Sequence, residues 1–250
     1  MRTGRSAVEL SVYALISLIH KENLGDPHPV LAGGELYQSH RFVSESERWL
    51  RAELAEAGLG DRSRLADFVG MLSIIQAART EFYGWVTTQD DSYSLLVAAH
   101  GRSAFALVRR GEHVGFRRVS PERLAEALVD QLPDVPAGHG ESISVVAAEL
   151  GSTNGVVLRG ASGSARSEPA RRLIALFRTP RQGVAKLYAA RRDDAGNRVR
   201  SREWLDLFDV PAGRWAVHTT TGRGEPVISA VAATPALIAT KLTELLRSAR

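Results

Sequence analysis

Two stretches about a hundred residues apart are built alike. "AAHGRSAFAL" (98–107) and "DVPAGRWAV" (209–217) each carry a turn signal, a Gly-Arg pair and an apolar, strand-like run. Each run leads into a second strand-like stretch and then a helix signal, Ser120-Pro121 in one case and Thr234-Pro235 in the other. The correspondence extends outward. Residues 61–75 read as a helix, 80–88, 93–101, 102–110 and 113–119 as strands, and 120–132 as a helix. Residues 167–177 then read as a helix, 183–192, 201–210, 214–220 and 226–232 as strands, and 234–246 as a helix. Gly101-Arg102 and Gly213-Arg214 serve as the register marks that align the two series. The period is far longer than a solenoid repeat, so it points to duplication and to two halves, 1–138 and 139–250, related by a pseudo-twofold axis. A four-stranded sheet with so few helices of its own cannot cover both faces. The expected fold is therefore α+β: one domain over 1–250, with a central, mostly antiparallel sheet shared by both halves and helices packed against it.

Local signals refine this outline. "AVELS" (7–11) suits a short strand, with Ser11 as N-cap of a helix over 12–20. "GDPHPVL" (25–31) reads as extended, because each proline disfavours helix in the residue before it. Ser44 and Glu47 have capping-box spacing ahead of "RWLRAELAEAG", which Gly58 ends. Asp61 opens the next helix, whose Leu65, Phe68, Leu72 and Ile75 fall on one face. "PDVPAGHGES" (133–142) breaks the chain near its midpoint, and "ASGSARSE" (161–168) has the composition of a flexible stretch. The segment 148–166 as a whole carries no landmark.

Composition removes several classes of function. Cysteine is absent, which excludes disulfides, thiolate catalysis and zinc–thiolate centres. No apolar run approaches the ~18 residues of a membrane helix, so no membrane insertion is expected. The basic, then apolar N-terminus has a signal-peptide outline. Glu9 ahead of the apolar stretch, helical spacing at Val12, Leu15, Ile16 and Ile19, and the lack of a small-residue cleavage site favour an amphipathic helix of a cytoplasmic protein. The net charge of +4 is carried by arginine, with lysine only at Lys21, Lys186 and Lys241. No basic stripe stands out, so nucleic acid is not the expected partner.

Catalytic patterns are also missing. The seven histidines show no i, i+2 or i, i+4 pair, and no metal or cofactor is expected. "GASGS" (160–164) lacks the last glycine of a nucleophile elbow, and "GHGES" and "GRGEP" lack the third glycine of a dinucleotide fingerprint. Asp90-Asp91 and Asp193-Asp194 suit turn tips, and Asp206 and Asp209 lie three apart on one strand, pointing to opposite faces. The chain is read as a non-enzyme. What remains are arginines. Arg109, Arg110, Arg117 and Arg118 flank one hairpin turn. Arg191, Arg192, Arg198, Arg200 and Arg202 flank another, near Tyr188 and Trp204. These serve either as charged strand edges that deter aggregation or as a recognition surface. A nucleic-acid-binding module using these hairpins is the alternative reading.

Several stretches, in order, resemble the EspG family associated with ESX (type VII) secretion in actinobacteria. They are "ERWLRAELAEAGLGD" (47–61), "SPERLAEALVDQLPDVPAGHGESISV" (120–145), "VAKLYAARRDDAGNRVRSREWLDLFDVPAGRWAV" (184–217) and "TPALIATKLTELL" (234–246). The resemblance implies two quasi-twofold halves around a central antiparallel sheet. It also implies a cytoplasmic, non-enzymatic chaperone that binds the apolar tip of a PE–PPE-type heterodimer, keeps it soluble and presents it to the secretion machine. A homodimer is a further possible assembly. In the family the binding surface involves the central sheet and the C-terminal helical part. Tyr83, Trp85, Tyr188, Arg198, Arg200 and Trp204 are expected to contact the partner here, on the strength of residue type and placement rather than a matched family motif.

Overall fold

The computed structural model describes residues 8–32, 43–150, 166–221 and 224–249. Four α-helices start where a capping side chain stands ready. Ser11 accepts from the Ala14 N–H at 3.1 Å and opens α1 (Val12–Lys21). Asp61 accepts from the Ser63 and Arg64 N–H groups and opens α3 (Arg62–Gln76), whose Phe68, Leu72 and Ile75 are buried. Ser167 caps α5 (Glu168–Arg178), and Thr234 caps α6 (Pro235–Ser248) with Pro235 in the first turn. Each cap satisfies backbone donors that the helix leaves unpaired. The remaining helices are α2 (Val43–Glu56) and α4 (Leu124–Val129).

Among the described residues eleven strands form one sheet: β1 (Val8–Ser11), β2 (Thr80–Thr88), β3 (Ser92–His100), β4 (Ser103–Arg110), β5 (His113–Val119), β6 (Ile143–Val146), β7 (Gly183–Arg192), β8 (Arg198–Arg200), β9 (Leu205–Val210), β10 (Gly213–Thr220) and β11 (Val227–Ala232). The order is β1-β5-β4-β3-β2-β7-β9-β10-β11-β6, with β8 beside the far end of β7, and every ladder is antiparallel. The centre is the seam between β2 and β7, where Tyr83 lies opposite Tyr188 and Gly84 opposite Leu187. On one side of that seam β2, β3, β4 and β5 form a meander with β1 at the edge, and on the other β7, β9, β10 and β11 form a second with β6 at the edge.

Alternation along the strands divides the apolar residues between two faces. On one face α4 and α6 lie across the seam over Phe82, Val86, Leu95, Val97, Leu187, Leu205 and Leu207, a core cluster drawn from both sides. The other face carries two separate layers. α1, α2 and α3 cover Leu96, Leu107, Val114 and Phe116 on one side, and α5 covers Trp215, Val217 and Ala230 on the other. The strip of sheet between these layers is where large side chains reach solvent.

Several local expectations need correction. Residues 120–132 do not form one helix: Pro121–Arg123 make a 3-10 turn before α4. Ser120 is not its cap, because its hydroxyl bonds the Glu122 carboxylate at 3.1 Å. Residues 25–31 are not extended throughout: Pro29–Leu31 form a 3-10 turn, with His28 Nδ1 accepting from the Val30 N–H. The strand expected from 201 begins at Leu205, because Ser201 is drawn back onto β7, its hydroxyl accepting from the Ala189 N–H and donating to Glu203 O. α2 starts at Val43, ahead of Ser44, whose side chain lies outside the described residues, as do residues 161–165 of the Gly/Ser-rich stretch. The register marks are also not equivalent. Gly101-Arg102 form the two-residue turn between β3 and β4, whereas the corresponding turn is Pro211-Ala212, and Gly213-Arg214 are the first residues of β10.

Arg214 and Trp215 are architectural. The Arg214 guanidinium grips Asp209 with two hydrogen bonds of 2.6 and 2.8 Å, both side chains buried. Trp215 packs beside Gly138, where an added Cβ would meet its Nε1 at 2.3 Å. The 133–142 stretch is thereby held against the sheet, with Gly138 N–H donating to Arg214 O and Arg214 N–H donating to Pro136 O.

Candidate functional site: an aromatic strip on the central sheet

Period-two alternation puts Glu81, Tyr83, Trp85 and Thr87 of β2 on the divided face, alongside Val184, Lys186 and Tyr188 of β7 and Asp206 and Phe208 of β9. Glu81 and Tyr83 are buried beside the first helical layer, whereas Trp85 and Lys186 reach solvent between the two layers. Trp85 and Trp204 are each 40% exposed, and among the described residues the only other large hydrophobic so exposed is Trp49. The rings form a connected set. Tyr83 stacks on Tyr188 at 5.4 Å, Trp85 meets both edge-on at 5.8 and 5.9 Å, and Tyr188 lies 6.4 Å from Trp204.

Cations sit on these rings. Arg198 lies 4.8 Å from the Tyr83 ring centroid, Arg200 lies 5.0 Å from that of Tyr188, and Lys186 lies 4.6 Å from that of Trp204. Such placement is attractive because the ring faces are electron-rich. At the end of the strip nearer α5, Arg181 covers the Phe208 ring at 3.9 Å.

A buried polar knot anchors the opposite end. Glu81 accepts from Arg198 Nε, and its Oε1 lies 3.4 Å from His28 Nε2, the nitrogen that carries the proton when Nδ1 accepts from the Val30 N–H. His28 also packs edge-on against Tyr83 at 4.9 Å. Burial opposes ionisation of Glu81, but the combined hydrogen bonds and charges of His28 and Arg198 outweigh it and hold the carboxyl below its ordinary pKa. Burial pushes His28 below its ordinary value, so the imidazole is neutral. Burial likewise raises Tyr83 and Tyr188 against the opposing arginine charges, leaving neutral phenols. Asp206 is raised by burial, against the hydrogen bond from Trp204 Nε1 at 2.8 Å and the charges of Lys186 and Arg181.

All six residues singled out from the sequence meet in this cluster. Trp85, Tyr188, Arg200 and Trp204 present atoms to solvent, Arg198 is half-buried, and Tyr83, only 2% exposed, forms the floor. Sequence reasoning missed Lys186, Asp206, Arg181, Glu81 and His28. Alternation from Tyr188 and Tyr83 would have found Lys186 and Glu81, whereas nothing in the sequence places His28 beside β2. The other arginine group behaves differently. Arg110 pairs with Asp91 at 2.9 Å, Arg109 donates to the Gly111 and Ala32 carbonyls, and Arg117 donates to Ala127 O. These side chains tie the β4–β5 hairpin to neighbouring segments of the same fold.

On the opposite side of Trp204, a cavity of about 170 Å³ opens between His218 and Thr220 of β10 and Lys241 and Glu244 of α6. His218 is held below its ordinary pKa, first by burial and then by the Lys241 charge. Among the described residues, no cluster of three or more His, Asp or Glu side chains has the geometry to hold a metal ion, and no helix is long and apolar enough to cross a membrane.

The family model for EspG proteins matches residues 11–244. This chain belongs to the EspG family. The EspG fold is also seen in a solved structure, the Mycobacterium tuberculosis type VII secretion system chaperone EspG5 in complex with a PE25–PPE41 dimer. That structure superposes with a TM-score of 0.66 over 97% of this chain and 96% of that one, at 14% identity. A putative adenylate cyclase from Bacillus halodurans covers 75% of this EspG chain and 83% of its own at 10% identity, with a TM-score of 0.17, too low to indicate a shared fold. No curated protein sequence matches.

Proposed function

We propose that this EspG-family chain is a cytoplasmic, non-enzymatic chaperone of type VII secretion. It binds the apolar tip of a PE–PPE-type heterodimer, keeps the pair soluble and presents it for export. In this reading the chain acts as one domain over 1–250, with halves 1–138 and 139–250 meeting at the β2–β7 seam. The observation that carries the proposal is the uncovered aromatic strip at that seam. Contiguous exposed aromatics are rare on a self-sufficient monomer and common where a partner docks. Support comes from the fold shared with EspG5, which was itself captured with a PE25–PPE41 dimer.

Co-expression with PE–PPE-type pairs encoded near this chain's gene, followed by size-exclusion chromatography with light scattering, is expected to give a soluble 1:1:1 complex. Replacing Trp85 or Trp204 by Ala is expected to weaken that complex about 30-fold, the effect of losing roughly 2 kcal/mol at an aromatic hot spot. If every such pair stays insoluble or elutes apart from the chaperone, the proposal fails.

A further inference from the structure

The charges around the strip do not balance. Arg198 is closed onto Glu81, and Lys186 faces Asp206 at 3.9 Å. Glu203 is spent on the Thr221 N–H and hydroxyl, both at 2.9 Å. Three exposed guanidiniums form no ion pair with a carboxylate among the described residues: Arg200 on Tyr188, Arg202 in the bend after β8, and Arg181 on Phe208, whose charge reaches Asp206 only at longer range. They stand at the two ends of the strip. Arg200 is paired across from Ala190 near the end of β7, and Arg181 lies two residues before its start. At ~3.3 Å per strand residue these ends are roughly 25 Å apart, the length of a helix of roughly 16 residues.

We propose that this face selects a partner segment whose apolar centre is flanked by carboxylates, the acids meeting Arg200 and Arg202 at one end and Arg181 at the other. The inference rests on the strip being the docking face described above, and it adds the charge pattern the partner must carry. Apolar side chains lie against Trp85, Tyr188 and Trp204, while each carboxylate meets a guanidinium already braced on a ring, so little side-chain freedom is lost on pairing. Rim charges of this kind act mainly on the rate of association and on the rejection of wrong partners. Single-stranded nucleic acid, the other ligand of aromatic and basic surfaces, fits less well. Bases need open ring faces, yet here Lys186 occupies a face of Trp204, Arg200 occupies one of Tyr188, and Trp85 meets Tyr188 edge-on at 84°.

The test uses three labelled probes and the full chain: two 16-residue amphipathic Leu/Ala-rich peptides, one flanked by Glu and one by Lys, and a 16-nucleotide oligo-dT. Fluorescence anisotropy in low salt is expected to show the Glu-flanked peptide binding at least tenfold more tightly than the Lys-flanked one, with the preference shrinking severalfold at 0.3 M salt. Arg200→Glu and Arg181→Glu should each remove most of that preference while circular dichroism stays unchanged, and Arg202→Glu gives an independent check at a residue with no ion pair among the described residues. Equal or absent binding of the two peptides, or preferential binding of the oligonucleotide, overturns the inference. The outcome is separable from that of the co-expression experiment. A PE–PPE-type pair that binds wild type and all three variants equally refutes the charge pattern alone. A Glu-flanked peptide that binds when no such pair does refutes the chaperone assignment alone.

Discussion

Replacing Arg214 by Met should be one of the most damaging single changes away from the aromatic strip. Arg214 and Asp209 have side chains only 6% and 8% exposed and share two charge-assisted bonds of 2.6 and 2.8 Å. Without the guanidinium, the Asp209 carboxylate stays buried with no other side-chain partner among the described residues, and breaking such a pair costs about 3–5 kcal/mol. The backbone bonds at this position, including Ala233 N–H to Arg214 O at 2.9 Å, survive the substitution, so the loss reports on the side chain. Asp209→Leu should cost a similar amount by stranding the arginine. The double variant should cost no more than about 2 kcal/mol, because two apolar side chains then occupy the same buried volume. Urea unfolding followed through tryptophan fluorescence gives all four corners of the cycle, with an expected coupling of roughly 4 kcal/mol or more. Single variants costing under about 1 kcal/mol, or a double cost equal to the sum of the singles, would refute the claim that this pair is a mutually dependent buried unit.

Other perturbations probe the seam and its flanks. Gly84→Ala should cost about 1–3 kcal/mol in thermal or urea unfolding, because its Cβ would meet Lys186 O at 2.2 Å and Leu187 Cδ2 at 2.8 Å. Tyr93, whose hydroxyl donates to Gln131 O at 2.8 Å, is pushed up to about 12 by burial. Its neutral form is favoured in the fold, so its contribution is complete below pH 10 and is lost as pH rises through about 12. Tyr93→Phe should flatten that alkaline decline in a pH series of unfolding midpoints. His28 is held neutral in the fold, whereas the unfolded chain takes up a proton below its ordinary pKa of 6.5. Stability should therefore fall as the pH drops below that value. His28→Asn, which keeps an acceptor for the Val30 N–H, should reduce that acid slope.

The legible parts of the fold were those written locally. Ser11, Asp61, Ser167 and Thr234 stand at the helix starts the sequence assigned to them, because a cap needs only a short polar side chain next to an amphipathic run. The four-strand meanders on either side of the seam were readable from alternation and turn residues. Ser120 misled because its hydroxyl donates to the Glu122 carboxylate and makes no capping bond to the backbone. β8, three residues of mixed polarity, had no readable pattern of its own and is a strand only because β7 runs past β9 and offers it an edge. Of the candidate site, aromatic and arginine composition located six members. His28 and Arg181 come from loops whose positions depend on the packing of distant elements.

From the sequence alone came the element types, most of their ends and the repeated order that calls for one shared sheet. These follow from hydrophobic period, caps and turn chemistry acting over a few residues. The tertiary structure decided that β2 and β7, separated by about a hundred residues, lie side by side. It also decided that α4 and α6 cover one face of that seam while the other remains open between two helical layers. Strand partnership and helix coverage depend on how all the apolar faces are satisfied together. That global constraint leaves Trp85, Tyr188 and Trp204 uncovered, and with them the surface on which the proposed function rests.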